Sequence, residues 1–182
     1  LKPYQQRAAA ILRRLEGIEN PVVAEIGVAV GNLSEELLRQ RSDLHLVMVD
    51  NWLPESEQPE AYQATGDTFA HVDKERADRH RANATKRVKH FNRAQVVEMR
   101  SVEAADEFEG EAFDLVFIDA DHSYEGVKAD IEAWFPKVKE GGYISGHDYE
   151  NTDERFNFGV TEAVDEFCEP ELDINFTWFH RK

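Results

Sequence analysis

Cysteine is nearly absent: Cys168 is the only one in 182 residues. A lone thiol closes no internal disulfide and builds no thiolate metal cluster, which fits a reducing compartment, so a cytoplasmic location is expected. Long apolar runs are missing too, and the opening LKPYQQRAAAILRRL is too charged for a signal peptide, so no membrane partner is expected. The Asn-X-Ser/Thr matches at Asn32, Asn83 and Asn175 are then chance. Positive charge is in short supply, with 21 Lys and Arg against 37 Asp and Glu and a net charge of −16. A polyanion gains affinity mainly from cations it can neutralise, so nucleic acid is not an expected partner. The basic stretch from Lys74 to Arg93 is the local exception and reads as a solvated helix face. Repeats, low-complexity tracts and linkers are also lacking. With 41% hydrophobic residues, one domain over 1–182 is expected.

What the chain does have is alternation. Ala8, Ile11, Leu12 and Leu15 recur at helical spacing, and the short apolar run VVAEI follows as a strand. A helix is expected from Ser34 to Arg41, with Ser34 as its N-cap, and LHLVMVD then makes a second strand ending at Asp50. The pattern continues with a charged helix over Asp73 to Phe91, the strand AQVVEM and a short helix from Val102 to Phe108. FDLVFID is a fourth strand, and Ser123 to Phe135 a helix. Gly141 and Gly142 turn into YISG, a helix follows through Ala163, Val164 and Phe167, and a last strand lies around INFTWF. Asn51 to Val72 fits no regular element and reads as a lid or as a loop with a short helix. Strands apolar on both faces, alternating with amphipathic helices, predict an α/β fold with a mostly parallel sheet covered on both sides.

Ligands of such sheets bind beyond the carboxyl ends of the strands, and the unusual polar residues gather there. Glu25, Gly27 and Gly31 mark the first turn, EIGVAVG. Glycine allows a sharp turn and close backbone approach. An unpaired carboxylate at the end of an apolar strand is costly, so Glu25 is expected to hold the ammonium of an amino-acid ligand. Asp50 ends the second strand about twenty residues later, where a carboxylate accepts bonds from ribose hydroxyls. Trp52, or Arg100 with Ser101, is then placed to meet an adenine, although packing under the loop explains Trp52 equally well. Asp119, Asp121 and His122 follow the fourth strand, and His147 and Asp148 the fifth. A lone histidine is more often packed than chemical, but two beside three aspartates on one rim point to catalytic or metal-binding work by at least one of them. Cys168, between apolar neighbours on a helix, reads as a buried small hydrophobe.

EIGVAVG, VMVDNW, the block from Phe113 to Tyr149 and GVTEAVDEF resemble the class I S-adenosylmethionine-dependent methyltransferases. The likeness is greatest to small metal-dependent and sugar O-methyltransferases, and it runs from Val22 to about Phe167. A nicotinamide enzyme fits less well, because GxGxxG is missing. The resemblance implies a Rossmann-like sheet of seven strands with the last antiparallel, whereas only six strands are legible. It implies S-adenosylmethionine as cofactor, with Glu25, Gly27, Gly31, Asp50 and Ser101 around it. Asp119, counted with these, and Asp148 match metal carboxylates. His147 stands where that branch has an acid, and completes an expected trio of Asp119, His147 and Asp148 for Mg²⁺ or another divalent cation. His122 is the expected general base. The expected reaction is methylation of a small hydroxyl acceptor, and a homodimer is expected. The rivals are lysis or hydrolysis of the sulfonium, transfer to nitrogen, and a non-catalytic cofactor-binding module.

Overall fold

The computed structural model describes residues 1–182. Helix α1 (Pro3–Arg14) leads into strand β1 (Val22–Ile26), helix α2 (Asn32–Gln40) and strand β2 (His45–Asp50). A short 3-10 turn and helix α3 (Glu60–Ala64) fill the next stretch, before α4 (Lys74–Val88), β3 (Ala94–Glu98), α5 (Ser101–Asp106) and β4 (Phe113–Ile118). Helix α6 (Tyr124–Trp134), β5 (Val138–Gly146), α7 (Val160–Phe167), β6 (Glu171–Asp173) and β7 (Thr177–Arg181) complete the chain. The seven strands form one sheet in the order β3-β2-β1-β4-β5-β7-β6. All contacts from β3 to β5 are parallel, and β7 runs antiparallel to both of its neighbours.

Side-chain alternation explains how the central strands carry helices on both faces. Val23, Leu46, Met48, Leu115 and Phe117 pack with Ile11 and Leu15 of α1, Leu37 of α2 and Ala84 of α4. The intervening Ala24, Val47, Val49, Val116 and Ile118 face Ala104 of α5, Val127, Ile131 and Trp134 of α6, and Val164 of α7. Helix α6 is entered through Ser123, whose hydroxyl accepts the Gly126 N–H at 3.1 Å, a side-chain N-cap.

Five local expectations are corrected. The last expected strand spanned a turn: Ile174 to Phe176 separate β6 from β7, and this hairpin supplies the seventh strand. Gly141 and Gly142 lie inside β5, where the register against β4 shifts between Phe113 and Leu115. Strand β3 is an edge, with Gln95, Val96 and Glu98 exposed, so only one of its sides is paired. Ser34 does not cap α2; Gly31 precedes that helix in a left-handed conformation, and Ser34 sits buried in its first turn. Cys168 is half-buried against the core rather than enclosed. Four of the six Lys and Arg side chains of α4 form ion pairs, including Arg87 to Glu35 at 2.6 Å and Arg81 to Glu98 at 2.7 Å. No helix is long and apolar enough to cross a membrane.

Candidate active site

The strand order reverses between β1 and β4, and a cavity of about 730 Å³ opens there over the carboxyl ends of β1, β2, β3, β4 and β5. Its volume suits a cofactor-sized ligand. All expected cofactor residues except Gly31 line it, as do Asp119, His122, His147 and Asp148.

The first turn is built against protein. Gly27 has φ +87°, and a Cβ there would lie 2.0 Å from the Asp119 carbonyl oxygen, so the two strand ends touch only because that carbon is missing. At Gly31 a Cβ would meet the α4 backbone at Ala84, 2.9 Å away. Helix packing therefore accounts for the second glycine. Asp50 ties the same turn down. Its Oδ2 accepts the Val28 and Ala29 N–H groups, each at 2.8 Å, and its Oδ1 accepts that of Trp52 at 2.8 Å. Burial pushes its pKa up against the pull of these N–H groups. A carboxylate has about four acceptor sites, so one remains for a ribose hydroxyl while this loop stays closed. Trp52 is buried and donates Nε1–H to the Ala29 carbonyl at 2.8 Å, so its polar end serves the loop and only its ring borders the cavity.

Glu25 lies beneath the turn and is 2% exposed. It accepts the Ser34 hydroxyl at 2.5 Å. Burial pushes its pKa up to about 8, helped by the Asp119 charge and opposed by Ser34 and Arg7. At pH 7 such an acid is mostly neutral, and a nearby cation would favour its ionised form. At the β3 side of the cavity, Ser101 Oγ accepts Trp134 Nε1–H at 2.9 Å, and Arg100 borders the opening. Asp130 of α6 escaped the sequence reading. It is 4% exposed, lines the cavity, and burial raises its pKa to about 7. The missed signal is its place on the apolar stripe Val127, Ile131, Trp134, where a carboxylate is out of pattern.

Two histidines and two aspartates meet where β4 and β5 end. His122 Nε2 is 3.2 Å from Asp119 Oδ1 and 3.2 Å from Asp148 Oδ2. Its other nitrogen, Nδ1, is 2.6 Å from Asp67 Oδ2, which also accepts the Tyr62 hydroxyl at 3.1 Å. Asp67 and Tyr62 come from the irregular stretch after β2, too sparse in pattern to single them out. Burial disfavours charge on His122, but hydrogen bonds to Asp119 and Asp67 and the charge of Asp148 outweigh it and raise its pKa to about 10. Asp119 is held well below the ordinary carboxylate range: burial opposes this, and His147, His122 and Arg7 prevail. Asp148 stands just past β5 with φ +61°, a left-handed position that aspartate tolerates.

His147 is differently placed. Its Nδ1 is 2.9 Å from Asp148 Oδ2, and its Nε2 is 3.2 Å from Arg7 Nη1. Burial lowers its pKa, while the neighbouring aspartates pull it up to about 9. Arginine only donates, so the contact with Arg7 requires a lone pair on Nε2 and puts the ring hydrogen on Nδ1, facing Asp148. In the neutral ring both His147 nitrogens are thus engaged, by Asp148 and by Arg7, whereas His122, with Nδ1 on Asp67, turns Nε2 toward both Asp119 and Asp148. The three groups whose ligand atoms lie within 4.8 Å of one another are Asp119, His122 and Asp148. His122, and not His147, joins the two aspartates in this cluster.

Residues 24–149 match the family model described as a methyltransferase domain. The chain belongs to this family, the S-adenosylmethionine-dependent methyltransferases. Among solved structures, the O-methyltransferase NovP superposes with TM-score 0.68 at 15% identity, over 99% of this chain and 79% of NovP. The calicheamicin methyltransferase CalS11 gives 0.64 at 19% identity, over 97% and 77%. Spermidine synthase from Thermotoga maritima gives 0.56 at 17%, over 97% and 57%, so the fold alone does not name the reaction. A stretch of 78 residues, 43% of this chain, is 35% identical to the uncharacterized protein y4gI of Sinorhizobium fredii and spans 8% of that protein.

Proposed function

We propose that this methyltransferase methylates an oxygen of a small hydroxyl-bearing acceptor, aided by a divalent cation. The observation that carries the reading is the convergence of Asp119, His122 and Asp148 beside the cofactor cavity. The donor set fits an ion. Neighbouring ligands on a cation bound at about 2.1 Å stand roughly 3 Å apart, and His122 Nε2 is 3.2 Å from each carboxylate. An imidazole among oxygens favours Mn²⁺, Co²⁺ or Zn²⁺ over Mg²⁺. When bound, such an ion lowers the pKa of a hydroxyl and orients it. The chain's own part is placement. Asp67 fixes the His122 tautomer, a support that metal-ligating histidines commonly need. Phe156 and Phe158, stacked 4.7 Å apart, give the same pocket an apolar wall. His122 turns only Nε2 toward the two carboxylates, so that nitrogen would be its ligand atom in the loaded site, and the general-base role is confined to an ion-free reaction. Sugars are a fitting acceptor class, since CalS11 is described as a TDP-rhamnose 3'-O-methyltransferase.

Methyl transfer to a panel of phenols and sugars, with and without chelator and with Asp148→Ala, tests this. Chelation and the substitution should each lower the rate by about 100-fold or more. Activity indifferent to both removes the cation from the mechanism. Consumption of the sulfonium without an acceptor, seen by mass spectrometry, replaces transfer with lysis.

A further inference from the structure

The cavity is acidic at the end where β1 and β4 meet, with Glu25, Asp119 and Asp148 lining it. Only two Lys or Arg side chains border the whole cavity, and one of them, Arg100, follows β3. The other is Arg7, from the inner side of α1, where Pro3 and Tyr4 also reach the wall. Its guanidinium is pinned at one nitrogen. Nη1 meets His147 Nε2 at 3.2 Å and donates to Asn175 Oδ1 at 3.3 Å. Nη2 makes no hydrogen bond, and Asp119 Oδ2 lies 3.9 Å from it. Nε is enclosed without a partner. Three of five N–H donors are thus unspent on a side chain whose exposure is only 17%.

A site shaped for a sulfonium and an ammonium gains from carboxylates and loses from a cation, unless the ligand also brings an anion. S-adenosylmethionine brings one, the α-carboxylate of its methionyl part. We propose that Arg7 is the receptor for that carboxylate, with Nη2 facing it while Glu25 takes the adjacent ammonium, so that α1 forms one wall of the cofactor site. The proposal rests on S-adenosylmethionine being the donor. Arg7 Nη2 lies 3.9 Å from Asp119, whose backbone abuts Gly27 just past Glu25, so Arg7 and Glu25 stand at the same end of the cavity. His147 and Asn175 hold the guanidinium from behind, one after β5 and the other in the β6–β7 turn. The rim residue His147 thereby acquires a task in place of metal ligation.

Calorimetry with S-adenosylhomocysteine and with its decarboxylated analogue, which keeps the amine and loses only the carboxylate, tests this on the wild-type protein. The wild type should prefer the intact ligand by about 10- to 100-fold, the range of a charge-assisted bond to a carboxylate. Arg7→Met should bind the two ligands equally, and Arg7→Lys should keep part of the preference. A wild type that binds both with the same affinity overturns the role of Arg7 and leaves the cofactor in place. Binding of neither ligand overturns the cofactor reading and this proposal with it. If Arg7→Met keeps the preference and instead raises the KM of an acidic acceptor, the anion belongs to the acceptor and the proposal fails.

Discussion

At the scale of single residues, the site is governed by carboxylates whose surroundings differ. Glu25 is enclosed and shifted up to about 8, while Asp119, among histidines and Arg7, is held low. A raised native pKa has a definite sign in stability. The contribution of protonated Glu25 is complete below its unfolded value near 4.5 and is lost as pH rises through about 8. Glu25→Gln keeps an acceptor for Ser34 and cannot ionise. Its stability relative to wild type should therefore improve between pH 5 and pH 8 by on the order of 3 kcal/mol. Asp130, with the same sign of shift, is common to both proteins and cancels in the difference. Denaturant melts of the two proteins at both pH values measure this, and a difference that does not change with pH rejects the shift.

At the scale of elements, the stretch between β2 and α4 is tied to the rest of the fold in part through Asp67. Asp67 holds it by accepting from Tyr62, from the Phe69 N–H at 2.9 Å and from His122, while Asn157 N–H bonds the Thr65 carbonyl at 2.8 Å. The central strands share none of these bonds. Asp67→Ala should raise amide exchange across 53–72, at a local cost of about 2–4 kcal/mol, and leave exchange in β1, β2 and β4 unchanged. Hydrogen-exchange mass spectrometry reads both regions at once. Protection lost evenly over sheet and segment would mean that Asp67 supports the fold instead of a lid.

At the scale of the molecule, a net charge of −16 on 182 residues is a source of self-repulsion, and the active-site rim concentrates part of it. Raising salt from about 0.01 M to 0.15 M shortens the screening length from roughly 30 Å to 8 Å. The melting temperature should rise by a few degrees, about the effect of 1 kcal/mol in a domain of this size. A fall on adding salt, followed by differential scanning fluorimetry, would show that surface pairs such as Arg87 with Glu35 outweigh the repulsion.

The alternation of apolar strands and amphipathic helices is a local property of the chain, so the layered sheet and the rim carrying its chemistry were legible before any coordinates. Glu25 stands out along the chain as a carboxylate ending an apolar strand, Asp50 by its spacing from the glycine turn, and Asp119 and Asp148 by their place at strand ends and by the family resemblance. Arg7, Asp67 and Asp130 sit in segments where a charge is ordinary, and each becomes meaningful only by what faces it across the fold. The choice between His122 and His147 could not be made along the chain. It depends on which ring nitrogen already has a partner, and those partners, Asp67 and Arg7, are 55 and 140 residues away.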